Sequence, residues 1–139
     1  MKPMLIIAMM VAVLHLSCAT TTERVLDTGD ETQLQKRSYE SRVFDTSDKE
    51  KVLRAAISTL QDLGFVIDRA DFTLGAVSGT KYAGYLMKIT VSVRPKGNDR
   101  IMVRANAQFN IEPIHDPKQY QDFFSSLEKS LFLVAHEAD

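Results

Sequence analysis

The chain has 139 residues and a mass of 15.6 kDa, with 45% hydrophobic and 25% charged residues; a chain this short supports one hydrophobic core and excludes a two-domain enzyme. Seventeen Lys+Arg stand against 18 Asp+Glu, for a formal net charge of −1. There is therefore no global pull toward nucleic acid, and any basic surface must be local.

The N-terminus carries Lys2 and then an uncharged apolar run from Met4 to Leu14. A membrane-spanning helix needs about 20 apolar residues, so this shorter run predicts a signal peptide over residues 1–17. It ends in Leu14-His15-Leu16-Ser17-Cys18-Ala19, which is similar to the processing site of bacterial lipoproteins. In those proteins a small residue precedes a Cys that receives a diacylglycerol and, after cleavage, becomes the acylated, palmitate-bearing N-terminus. Ser17 and Cys18 match, whereas His15 and Leu16 stand where Leu or Val and a small residue are usual. The resemblance implies lipidation at Cys18, and Ala19 after it resembles the pattern sorted to the periplasmic face of the outer membrane. Two or more acyl chains give stable membrane attachment. Ser17 and Ala19 also have the spacing that ordinary signal peptidase prefers, and cleavage after Ala19 would release a soluble periplasmic protein without Cys18. Because Cys18 is the chain's one cysteine, the mature body has no disulfide.

Thr20 to Arg37 (TTTERVLDTGDETQLQKR) has no hydrophobic period, so residues 18–37 are expected to form the lipidated N-terminus and a flexible tether with a reach of roughly 20 to 25 Å. A short helix at Thr32 to Arg37 is the alternative, and would bury little.

Residues 38–139 are expected to form the folded domain. Ser38 to Phe44 reads as a strand, and Ser47 with Glu50 three residues later as a capping box. Val52, Leu53, Ala56, Ile57, Leu60 and Leu63 lie on one face of the helix that follows, and Gly64 supplies a left-handed stop. Phe65 to Asp68 is a short strand, Asp71 to Gly75 a turn, and Ala76, Val77 and Thr80 mark the next strand. Ile89, Val91 and Val93 alternate with Lys88, Thr90, Ser92 and Arg94 before the turn at Pro95 to Asp99. The return strand places Ile101, Val103, Ala105, Ala107, Phe109 and Ile111 inward. Asp116-Pro117 opens the last helix, whose apolar stripe is Tyr120, Phe123, Phe124, Leu127, Leu131 and Val134. The order β-α-β-β-β-β-α predicts an α+β two-layer sandwich, an antiparallel sheet with both helices on one face.

Arg42-Val43-Phe44, the capped helix Lys51 to Leu63, Leu63-Gly64-Phe65 and Asp71-Phe72-Thr73-Leu74-Gly75-Ala76-Val77 together resemble a widespread group of small lipoprotein domains. They are also similar to the helix-grip repeats of the C lipoprotein of the outer-membrane β-barrel assembly machinery. The motifs cover Tyr39 to Lys81, and element order alone covers the rest. The resemblance implies a non-enzymatic accessory or binding role in the bacterial envelope.

Alternation gathers Lys88, Arg94, Arg100 and Arg104 on the open sheet face, a local basic patch. It reads either as a contact for an envelope protein or anionic envelope component, or as a solvated face whose charges prevent edge pairing. Phe132 falls on the opposite side of the last helix from Phe123, and so either covers the sheet edge or anchors a partner. Tyr82 and Tyr85 flank Gly84 and either pack a loop or hold a ligand. No catalytic residues are assigned, because His115 beside Asp116 and His136 beside Glu137 are poorly placed for a dyad. No HExxH, CxxC or GxSxG is present, so neither a metal nor a cofactor is expected. The composite expectation is a lipid-anchored periplasmic interaction or assembly module that is not an enzyme and does not bind nucleic acid. The alternative is a soluble periplasmic small-ligand carrier with a pocket between helices and sheet.

Overall fold

A computed structural model describes residues 32–137, with side chains described as far as Phe132. The residues expected to form the signal peptide, Cys18, most of those expected to form the tether, and the Leu133, Val134 and His136 side chains lie outside what is described. Along the chain run α1 (Gln33–Glu40), β1 (Ser41–Phe44), α2 (Lys49–Asp62), β2 (Val66–Asp71), β3 (Ala76–Tyr82), β4 (Leu86–Pro95), β5 (Ile101–Phe109), β6 (Glu112–Pro113) and α3 (Pro117–Glu137). The fold is the expected α+β sandwich: a six-stranded antiparallel sheet of order β1-β5-β4-β3-β2, with β6 also paired to β5. After β1 the chain crosses the sheet as α2 to the far edge. It then returns strand by strand through the β2–β5 meander, and α3 folds back over the same face.

Two ends of α2 show how local chemistry sets this path. The cap is Asp48, whose Oδ1 accepts from the Lys51 amide at 2.9 Å, so the expected Ser47–Glu50 capping box is not formed. Glu50 instead takes Arg54 in an i,i+4 ion pair at 2.6 Å. At the other end Gly64 has φ +85, with Gly64 N–H donating to the Gln61 carbonyl and Phe65 N–H to that of Leu60, both at 2.9 Å. This is a Schellman stop. It puts Phe65 into the core just before β2 rather than in the strand, and β2 runs on to Asp71.

Val52, Leu53, Ala56 and Leu60 are buried as expected, together with Ala55 and Thr59. Beneath them lie Val77, Ile89, Val91, Val93, Ile101, Val103, Ala105 and Ala107, and α3 contributes Tyr120, Phe123, Phe124 and Leu127. Each fully buried aliphatic or aromatic side chain contributes about 1.5–3 kcal/mol relative to exposure. The alternation in β4 and β5 therefore specifies one register, since a one-residue slip would turn that whole set toward water.

Three expectations need correction. Residues 33–40 form helix α1, and β1 starts at Ser41 instead of Ser38. This helix is polar by sequence and is held by tertiary contacts: Tyr39 packs on Tyr120 with centroids 5.1 Å apart, and the Glu40 carboxylate is wholly buried. Ile111 is 88% exposed rather than inward. Asn110, at φ +52, ends the pleat of β5, and the chain doubles back so that Gln108 and Phe109 pair with Pro113 and Glu112. Ile114 takes the core place instead.

Candidate functional site

The open face of the sheet carries Lys88, Thr90, Ser92 and Arg94 from β4 and Met102, Arg104, Asn106 and Gln108 from β5, paired in register. Lys88, Arg94 and Arg104 thus share the face, but they do not form one patch. Lys88 and Arg94 are six residues apart on one strand, about 20 Å at 3.3 Å per residue. Arg104 is tied to the buried Glu40, its Nη2 donating to Oε2 at 3.0 Å, while Lys36 approaches the other carboxylate oxygen at 3.7 Å. Arg100 lies in the β4–β5 turn, 3.8 Å from Asp99. Lys88 and Arg94 are exposed and make no ion pair among the described residues. The Glu40 partner was invisible to alternation, because the sequence pattern puts Glu40 in a strand from Ser38 to Phe44, whereas it ends helix α1.

Phe132 is 63% exposed. With Leu131, Phe44 and Lys51 it lines an open depression of about 370 Å³ between the start of α2 and the later turns of α3.

The opposite end of the sheet, where β3 turns into β4 and β5 into β6, is apolar. Tyr82, Tyr85, Leu86 and Ile111 are all exposed there. Tyr82 pairs with Leu86 across the hairpin, Tyr85 packs edge-on against Phe109 at 4.6 Å, and Asn110 N–H donates to the Leu86 carbonyl at 2.8 Å.

On the helix side of this same end lies a cavity of about 160 Å³, lined by Leu63, Phe65, Met87, Ile89, Ala107 and Phe123 among others. Tyr120 forms one wall, and its position follows from a gap in the β ladder. Beyond Pro113 the Ile114 N–H still donates to the Ala107 carbonyl at 2.9 Å, but the reciprocal bond is missing, and the Tyr120 hydroxyl fills that gap, accepting from the Ala107 amide at 3.2 Å and donating to the Ile114 carbonyl at 2.9 Å. Lys81, Gln119 and Asp122 also line this cavity. Lys81 Nζ donates to the Leu63 carbonyl at 2.8 Å and lies 5.8 Å over the Phe65 ring, a cation at the negative end of α2. Asp122 is engaged by Lys118 Nζ at 2.7 Å, and that hydrogen bond, with its charge, holds the Lys118 ammonium above its ordinary value.

A pocket between helices and sheet belonged to the alternative reading of the sequence, but no motif or periodicity locates it. Its lining comes from β3, β4, β5, α3 and the α2–β2 connection, and only the short inward side chains Ala105 and Ala107 of β5 hint at unfilled volume. The arrangement can bind; of His115, Asp116 and Glu112, all three are exposed along the approach to α3. No helix among the described residues is long and apolar enough to cross a membrane. No protein-family model matches the chain, and no curated protein matches it.

Proposed function

We propose that this chain is a lipid-anchored interaction module of the bacterial envelope, held at the periplasmic face of the outer membrane by an acylated Cys18. The observation that carries the reading is Ser17-Cys18-Ala19 at the end of an apolar run too short to span a bilayer. The acyl chains would fix location, the residues between Cys18 and α1 would set reach, and the folded body would meet an envelope protein or anionic envelope component. What supports binding over turnover is the character of its exposed surfaces: an apolar sheet end at Tyr82, Tyr85, Leu86 and Ile111, and a cationic end at Arg94 and Arg100. The likeness to helix-grip lipoprotein repeats agrees with this role.

A second reading, a soluble periplasmic small-ligand binder cleaved after Ala19, is favoured by one observation, the cavity beneath α3. Intact mass and membrane fractionation of wild type beside Cys18→Ser, in a Gram-negative host, separate the two. A lipid-modified N-terminus at Cys18 in outer-membrane fractions, with the variant retained as precursor, is the expected result. An unmodified chain starting at Thr20 in the soluble periplasm would overturn the anchored reading.

A further inference from the structure

From the cavity beneath α3 we infer a binding site for a small monocarboxylate, with a compact apolar group inside the cavity and the carboxylate at Lys81 and Gln119. The inference rests on the cavity itself and stands whichever way Cys18 is processed.

Size selects the apolar part. At about 160 Å³ the cavity is close to the ~150 Å³ of an engineered apolar cavity that stays dry and takes benzene, and well below the roughly 300–1,000 Å³ of sites for drug-sized ligands. One ring or one short alkyl chain fits. The cavity is also built to stay open. Tyr120 is 2% exposed and fixed by two hydrogen bonds to the backbone, so its ring cannot swing in to fill the space without leaving the Ala107 amide and Ile114 carbonyl unpaired. Such a loss costs about 1–3 kcal/mol.

Charge selects the head. Of the three charged or amide side chains in the lining, Asp122 has its carboxylate bonded to Lys118. Lys81 gives one of its three donors to the Leu63 carbonyl and meets no carboxylate among the described residues. The half-buried Gln119 amide makes no side-chain hydrogen bond there either. An ammonium with donors to give, held in place over Phe65 in the same lining as a free amide, is complementary to an anion at the edge of an apolar hole. The same chemistry belongs to a free short-chain acid and to the C-terminal residue of a peptide ending in an apolar side chain.

The test is an amide-resolved NMR titration of the full chain carrying Cys18→Ser, so that no acyl chain competes, with hexanoate, hexanamide and acetyl-Ala-Leu. Saturable shifts at Ile89, Ala107 and Phe123 are expected with hexanoate, in the high-micromolar to millimolar range set by so few ligand atoms, and hexanamide should bind at least about tenfold more weakly. Ala107→Leu should abolish the shifts while keeping the fold, seen as an otherwise unchanged spectrum. Lys81→Met, which retains the stem over Phe65, should bring the acid down to the level of the amide. Tighter binding of acetyl-Ala-Leu than of hexanoate assigns the site to peptide C-termini, and the reverse order assigns it to free acids. The absence of saturable shifts with either acid, equal binding of acid and amide, or unchanged binding in Ala107→Leu would each overturn the inference.

Discussion

The two ends of one sheet carry different chemistry. At the β4–β5 end, Arg94, Lys96 and Arg100 surround a polar turn. At the β3–β4 end, Tyr82, Tyr85, Leu86 and Ile111 are exposed over an apolar cavity. Strand β4, with 10 residues, separates them by about 30 Å. A partner seated on one end leaves the other free, so charge and apolar surface serve as two separate contacts. Alternation along a strand tells which face a side chain takes but not which end it occupies, and here the position along the strand divides the chemistry.

Both ends lean on one core, and the largest expected effect comes from cutting it. Leu60 is fully buried between α2 and the sheet, so Leu60→Ala should destabilise by about 2–5 kcal/mol. The loss should be cooperative, read by thermal melts followed at both near- and far-UV wavelengths. Two separated transitions would show that the ends fold as independent units.

A smaller and more local effect belongs to the apolar end. Tyr120→Phe keeps the ring packed on Tyr39 but removes the hydroxyl that joins the Ala107 amide to the Ile114 carbonyl. Two buried backbone groups would lose their partner, at about 1–3 kcal/mol. Denaturant unfolding measures the change. Faster hydrogen exchange at Ala107, with protection at Val93 unchanged, would tie it to this end; uniform loss of protection would deny the locality.

The core-facing side of the sheet was legible in the sequence because a pleat has period two: Ile89, Val91, Val93, Ile101, Val103, Ala105 and Ala107 all fall where alternation puts them. So was the stop at Gly64, because a left-handed residue after an apolar helical stripe has few other uses. Helix α1 was legible only as the alternative of a short helix at Thr32 to Arg37; its extension to Glu40 was not, since its support comes from Tyr120 and from Arg104, 64 residues beyond Glu40. Ile111 misled for the same reason that alternation works: the period persists in the letters after Asn110 has ended it in the backbone. The basic patch was half legible, in that the shared face follows from parity. Neutralisation of Arg104 by Glu40 depends on a helix that the composition hides.

That distinction sets apart three arginines that look alike in sequence. Arg104→Ser would leave the buried Glu40 carboxylate with Lys36, at 3.7 Å, as its one cation among the described residues. Because Arg104 is itself 45% exposed, solvent moderates the loss, and a destabilisation of about 1–2 kcal/mol is expected in chemical denaturation. Glu40→Gln combined with Arg104→Ser should recover part of it, and failure to recover would mean that the pair is not the cause. A triple Arg94, Arg100 and Arg104→Ser variant therefore mixes stability with surface charge and cannot by itself report on partner binding.

Arg94 alone is the sharper probe. Its side chain is exposed and makes no ion pair among the described residues, so Arg94→Ser should change stability by no more than about 0.5 kcal/mol. If the cationic end meets an anionic envelope component, the same substitution should weaken retention on vesicles containing anionic lipid at low salt. The loss should fade as ionic strength rises, because exposed charges are screened over about 10 Å at 0.1 M. Lys88→Ser removes an equal charge from the same face about 20 Å away, and should leave retention nearly as it was. Equal losses from Arg94→Ser and Lys88→Ser would mean that the whole open face acts as one diffuse positive surface, and the division of the sheet into two chemically distinct ends would fail for charge.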